Sequence, residues 1–146
     1  MAVRNAGALI AALEQLKRDE RVGIGRALAK SVVRLDAYAK QKIQSGGRSG
    51  RVYRRRSISH QASAPGEFPK TDRGQLVASL YFRVAADKLS AFFGTKLNYG
   101  RYLEYGTSRM KARPWLAPTV KANADIIRKL LMDAVSEAIN KGQRRG

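Results

Sequence analysis

The 146-residue sequence predicts an α+β fold, with N-terminal helices and a long C-terminal helix packed on a small antiparallel β-sheet, and a long basic arm between them. Three observations carry that prediction. Apolar residues recur at helical spacing through three separate stretches, they alternate at period two through a fourth, and a glycine-, serine- and arginine-rich stretch lacks either period. The chain reads as a single domain, 1–146, close to the commonest domain size.

Taken in order, "NAGALIAALEQLKRD" spaces Leu9, Leu13 and Leu16 at helical intervals. "RVGIG" follows, and Gly23 and Gly25 are expected to break or bend the helix there. A second helix is predicted from about Arg26 to Gln44, with Leu28, Val32, Leu35, Ala39 and Ile43 on one apolar stripe and Gly46 and Gly47 ending it. Residues 45–75 read as an extended arm, with seven basic residues against Glu67 and Asp72. A structureless stretch of that length is uncommon in a compact domain and is usually functional, or disordered when free.

"TDRGQL" resembles a helix start capped by Thr71 or Asp72. The runs "LVASLYFRVAA" and "LSAFFGTKL", joined at Asp87-Lys88, predict a β-hairpin in which Leu80, Phe82 and Val84 share a buried face. Its aromatic residues Tyr81, Phe82, Phe92 and Phe93 could stack on bases, but core packing is the better reading. In "NYGRYLEYGT" the spacing predicts a short helix with an aromatic face, stopped by Gly106, and Glu104 is expected to ion-pair among Arg101, Arg109, Lys111 and Arg113. Pro114 holds Arg113 extended and Pro118 suits a first helical turn. The last helix places Val120, Ala124, Ile127, Leu131, Ala134 and Ala138 on one stripe, and Gly142 opens a frayed basic tail, 141–146.

Composition narrows the function. Twenty-nine Lys and Arg against eleven Asp and Glu leave a net charge of +18, a field that attracts polyanions without reading base sequence. A hydrophobic content of 44% excludes wholesale disorder, and no apolar run is long enough for a membrane span. There is no cysteine, hence no disulfide or thiolate chemistry. His60 is the single histidine, and with Glu67 and Asp72 it makes a poor metal set, so neither a metal nor another cofactor is expected. No serine sits in a nucleophile elbow, and "GRSG" and "GIG" do not follow a strand and open a helix as phosphate loops do. No catalytic residue emerges, and the chain is not expected to be an enzyme.

One constellation is more specific. Tyr99, Tyr102, Glu104, Tyr105, Gly106 and Thr107, followed by Met110, Arg113, Pro114, Trp115, Leu116 and Pro118, resemble the phage head–tail joining or tail-completion family, the neck proteins of long-tailed bacteriophages and prophages. Upstream, Thr71, Gly74, Leu76, Ser79 and Leu80 meet that family's T-x-x-G-x-L-x-x-S-[I/L] signature. The resemblance covers roughly residues 26–140, and the arm "GGRSGRVYRRRSISHQ" is longer and more basic than the pattern requires. It implies a non-enzymatic virion protein, assembled in the bacterial cytoplasm as a homo-oligomeric ring (hexamer or dodecamer) around the DNA channel. Adjacent neck and tail proteins would be its partners, with non-specific contact to double-stranded DNA and none to a membrane. On that reading Tyr99, Tyr102, Glu104, Gly106, Thr107, Arg113, Pro114 and Trp115 lie at or beside a subunit boundary, Trp115 against the sheet or a neighbouring subunit. Arg48, Arg51, Arg54, Arg55 and Arg56 face DNA or a neighbouring ring. The alternative is a small basic protein that binds nucleic acid non-specifically through the arm.

Overall fold

A computed structural model describes residues 6–70 and 72–145. Thr71, one of the two expected helix caps and the first residue of the upstream signature, lies outside them. The described residues form four helices and two separate two-stranded antiparallel sheets, so the α+β class holds. The elements are α1 (Ala6–Ser45), β1 (Val52–Arg55), β2 (Ile58–Gln61), α2 (Gln75–Ser79), β3 (Leu80–Val84), β4 (Ala91–Thr95), α3 (Asn98–Tyr105) and α4 (Leu116–Arg145). They divide into two compact units. One holds the described residues through Ser31, Arg83–Phe92 and the described residues from Asp125 onward; the other holds Val32–Phe82 and Phe93–Ala124.

In the first unit α1 continues unbroken through Gly23 and Gly25, which corrects the expected break. Gly25 is there for room. A Cβ on Gly25, which is buried, would lie 2.8 Å from Cβ of Lys88, and one on Gly142 would lie 2.8 Å from Cδ1 of Leu16. Gly142 is therefore a packing position inside α4, and the helix runs on to Arg145 where a frayed tail was expected. Leu9 and Leu13 are exposed, and only Leu16 of that stripe is half-buried.

Gly23 and Gly25 make a test of sign. Alanine normally stabilises a helix interior by about 1 kcal/mol over glycine. Gly23→Ala meets nothing nearer than the Ala134 carbonyl at 3.6 Å, so its melting temperature should rise. Gly25→Ala has to displace the stem of Lys88, whose backbone is already left-handed (φ 61°), so its melting temperature should fall, with a cost of about 1–3 kcal/mol. Two thermal melts decide it, and equal shifts of one sign would discard the close-approach explanation.

The second unit holds a cluster of Ala39, Ile43, Leu76, Leu80, Leu103 and Trp115, with Phe68, Val77, Phe93, Met110 and Leu116 packed around it. Ala39 and Ile43 supply its α1 wall, Val32 and Leu35 continue the buried stripe, and α1 stops at Ser45, before the two glycines, as expected. Where α4 begins, the buried line is Trp115, Thr119 and Asn123 and Val120 is exposed, but the rest of the expected stripe holds: Ala124, Ile127, Leu131 and Ala134 are half-buried and Ala138 is buried. The polar members are satisfied locally and across helices. Thr119 Oγ1 donates to the Trp115 carbonyl (2.6 Å), Asn123 Nδ2 donates to the Thr119 carbonyl (2.8 Å), and Arg34 Nε donates to Asn123 Oδ1 (2.7 Å).

The strand expected from Leu76 begins at Leu80, because Gln75–Ser79 wind into α2. Its cap position is Gly74 (φ 72°) with no side-chain cap, which corrects the assignment to Asp72. Ser79 Oγ donates to the Leu76 carbonyl (2.7 Å) and shares a 2.6 Å hydrogen bond with Thr95 Oγ1. The buried-face expectation for β3 and β4 holds only in part. Leu80 is buried, but Tyr81, Phe82 and Phe92 are exposed. A two-stranded sheet offers little cover, and cations take up some of it: Arg83 lies 5.3 Å from the Phe92 ring centre, Lys96 5.4 Å from that of Tyr81.

Candidate functional site

The segment from Asn98 to Leu116 builds a clamp between α3 and α4. Gly106 ends α3 with φ 75°, its N–H donating to the Tyr102 carbonyl (2.8 Å). A Cβ there would crowd the Met110 carbonyl at 2.8 Å and the Ala112 nitrogen at 2.9 Å, so only glycine lets the loop fold back this tightly. Thr107 holds the turn: its Oγ1 accepts from the Arg109 and Met110 N–H groups, and Thr107 bridges to Met110. The Arg113 N–H then donates to the Leu103 carbonyl (2.7 Å), and Arg113 Nε to the Ser63 carbonyl (2.9 Å).

Glu104 does something other than the expected ion pairing. One carboxylate oxygen accepts from the N–H groups of Trp115 (2.7 Å) and Leu116 (2.8 Å), and the other from Ala117 (2.9 Å). Three of the orphan donors at the start of a 30-residue helix are thus met by one side chain, and a negative charge sits at the positive end of its dipole. Pro114 is half-buried beside this cap and Pro118 lies in the first turn. Trp115 is 2% exposed, donates Nε1–H to the Gly100 carbonyl (2.9 Å) and meets Phe93 of β4 edge-on, with ring centres 6.1 Å apart. It therefore packs against the sheet of its own chain.

The outer side of the same segment is different. Tyr99, Tyr102 and Tyr105 are 54%, 48% and 76% exposed, three rings at i, i+3 and i+6 on one eight-residue helix. The motif thus has two halves: Leu103, Glu104, Gly106, Arg113 and Trp115 tie the chain to itself, and the tyrosines present apolar area outward.

The arm is partly regular. Residues 52–61 form a β-ribbon that pairs Val52 with Gln61, Tyr53 with His60, Arg54 with Ser59 and Arg55 with Ile58. Arg56 (φ 52°) opens its two-residue turn. Below the strands, Gly50 N–H donates to the Ala62 carbonyl and Ala62 N–H to that of Arg51, so the ribbon is rooted in the second unit. Alternation puts Arg55 and His60 on one face. There Asp72 meets both, with Oδ2 3.6 Å from Arg55 and Oδ1 3.7 Å from His60 Nδ1. Arg48, Arg51, Arg54 and Arg56 are all exposed, Arg51 lying over the Tyr53 ring.

The weighed set of His60, Glu67 and Asp72 does not converge. Glu67 instead accepts from the Ser49 hydroxyl and from the Ala64 N–H (2.8 Å). Those two bonds, the hydroxyl first, hold its carboxyl below the usual carboxylate range. Their stabilisation is therefore present above that range and is lost as pH falls through the folded value. Among the described residues no three His, Cys, Asp or Glu side chains group to hold a metal ion, and no helix is long and apolar enough to cross a membrane.

Sequence reasoning missed the helix-capping role of Glu104 and the buried pair Thr119 and Asn123. Glu104 caps a helix eleven to thirteen residues away, outside any local capping pattern, and the pair is polar and lies one position before the apolar residues Val120 and Ala124. No family model, curated protein or solved structure matches the chain.

Proposed function

We propose that the chain is a structural subunit of a bacteriophage neck, forming a closed homo-oligomeric ring that joins the DNA-filled head to the tail. The observation that carries this reading is the division of the Tyr99–Trp115 motif. Its inner half is fully employed in holding α3 to α4, so the row of exposed tyrosines is left to serve something outside the subunit. Large exposed aromatics on a folded chain mark contact sites, and Tyr is favoured at interfaces. A ring would multiply the charge of +18 around a channel carrying a polyanion, and contacts that read no bases let DNA slide.

The exposed arginines of the ribbon favour the second reading, a small basic nucleic-acid-binding protein, and one set of variants separates the two. Tyr102→Ala with Tyr105→Ala removes outward rings and spares Glu104, whose loss would disturb folding. Sedimentation at raised salt should show rings for the parent and single folded subunits for this variant, since apolar contacts persist where ionic ones weaken. Arg54→Ala with Arg56→Ala should leave ring formation and melting temperature unchanged. Its DNA binding should lose about 0.9 from the slope of log K against log salt for each phosphate contact removed. A parent chain that stays monomeric at raised salt, alone and with neck and tail neighbours, while binding DNA through the arginines, would establish the second reading instead.

A further inference from the structure

Beside the ribbon, wholly within the second unit, lies a recess of about 260 Å³. Its floor is Ile43, Leu76 and Leu103, all buried members of the core cluster, so it is a fixed apolar surface. Tyr99 lines one side, and Arg55, Lys70 and Arg73 supply positive charge around it. The one carboxylate in the lining, Asp72, is already between Arg55 and His60. Apolar at the bottom and cationic at the edge, the recess suits an occupant that is apolar at one point and anionic around it.

Its size decides the class of occupant. Sites for small molecules and cofactors usually run from about 300 to 1,000 Å³, so this recess is small for either. It is the right scale for one large side chain, and interfaces concentrate their binding energy in such anchored residues. The exposed aromatic residues of a second copy are poor occupants, because they stand among cations where the positive rim calls for carboxylates: Tyr53 beside Arg54, Phe82 beside Arg83 and Tyr102 beside Arg101. We propose that the recess is a docking socket for an acidic peptide segment of a different protein, which inserts one aromatic or large aliphatic side chain onto Ile43, Leu76 and Leu103. Carboxylates flanking that side chain meet Lys70, Arg73 and the outer edge of Arg55. The lining comes from one subunit, but Tyr99 also belongs to the outward tyrosine row, so the test is run on the full chain both as parent and as Tyr102→Ala with Tyr105→Ala, and the socket should bind in the single folded subunit of that variant.

A basic chain binds any acidic peptide weakly, so the discrimination has to lie in the anchor and in position. Three fluorescent probes are compared by polarisation: a peptide of Glu and Asp residues around one central Phe, the same peptide with Ala at its centre, and a single-stranded oligonucleotide of matched charge. The Phe peptide should bind at least about tenfold more tightly than the Ala peptide, the difference one anchor residue typically carries. Lys70→Gln with Arg73→Gln should remove most of its affinity, whereas Lys121→Gln with Lys129→Gln, an equal change of charge on exposed positions of α4, should not. Leu76→Met keeps the volume of the floor while reshaping it, and should weaken the Phe peptide alone; circular dichroism confirms that each variant is folded. Equal binding of the Phe and Ala peptides would overturn the proposal, as would equal losses from the two charge variants. So would an oligonucleotide whose binding depends on Lys70 and Arg73 while the Phe peptide's does not, which would make the recess part of a nucleic-acid surface.

Discussion

Trp115→Ala should lose about 3–5 kcal/mol of stability, the usual result of emptying a buried aromatic site. The indole is fully enclosed with Leu103, Leu80 and Ile43, and its N–H is the donor that satisfies the Gly100 carbonyl. Set against a typical total of about 5–15 kcal/mol, the loss is about a fifth of the stability or more. Urea denaturation followed by circular dichroism measures it, since the variant has no tryptophan to report by fluorescence. Trp115→Phe should fall between the two, filling much of the space and leaving the carbonyl unmet. A midpoint for Trp115→Ala within experimental error of the parent would refute the placement of this side chain at the centre of the core.

Glu104→Ala should cost about 2 kcal/mol, the upper end of what a helix cap contributes, because three N–H groups lose their acceptor together. The informative comparison is Glu104→Gln. An amide keeps one carbonyl oxygen and turns an NH₂ toward the remaining donors, so it can serve one side of the cap and opposes the other. Glu104→Gln should therefore recover only part of the loss. Glu104→Lys should be the worst of the series, placing a cation at the positive end of α4. If the amide were as stable as the parent, the cap would be matched by one oxygen and the charge would be irrelevant. If Lys and Ala variants unfolded at the same urea concentration, the dipole contribution would be absent.

What could be read from the sequence followed from local rules, and what could not followed from contacts made at a distance. The stripe from Val32 to Ile43, the short α3 with its glycine stop and the proline-led start of α4 each announce themselves within a turn or two. Gly25 and Gly142 misled because glycine has two uses, and only the neighbour, Lys88 or Leu16, reveals that close packing is meant; Gly23 is simply carried within the helix. The ribbon was invisible because its turn is Arg56-Ser57, with arginine in a left-handed position where Gly or Asn would have given a hairpin signal. The tyrosines of α3 were legible as a mixed polar and apolar group, but Glu104 and Trp115, taken with them as boundary residues, are bound up inside the subunit.

The hydrogen bond from Arg34 to Asn123 bears on which of several alignments of α1 and α4 is adopted. Small and branched aliphatic residues such as Val32, Leu35 and Ala39 repeat every three or four positions, so sliding the two helices by one turn exchanges one apolar contact for a similar one. Hydrophobic contact alone would leave those alignments close in energy. An amide enclosed to 1% exposure is less tolerant: one turn away, its oxygen is dry and without a donor, at a penalty of about 1–3 kcal/mol. The pair thus works by exclusion, making every misaligned state expensive. An apolar residue of similar volume at position 123 could match the native state in stability and still lose the uniqueness of its alignment.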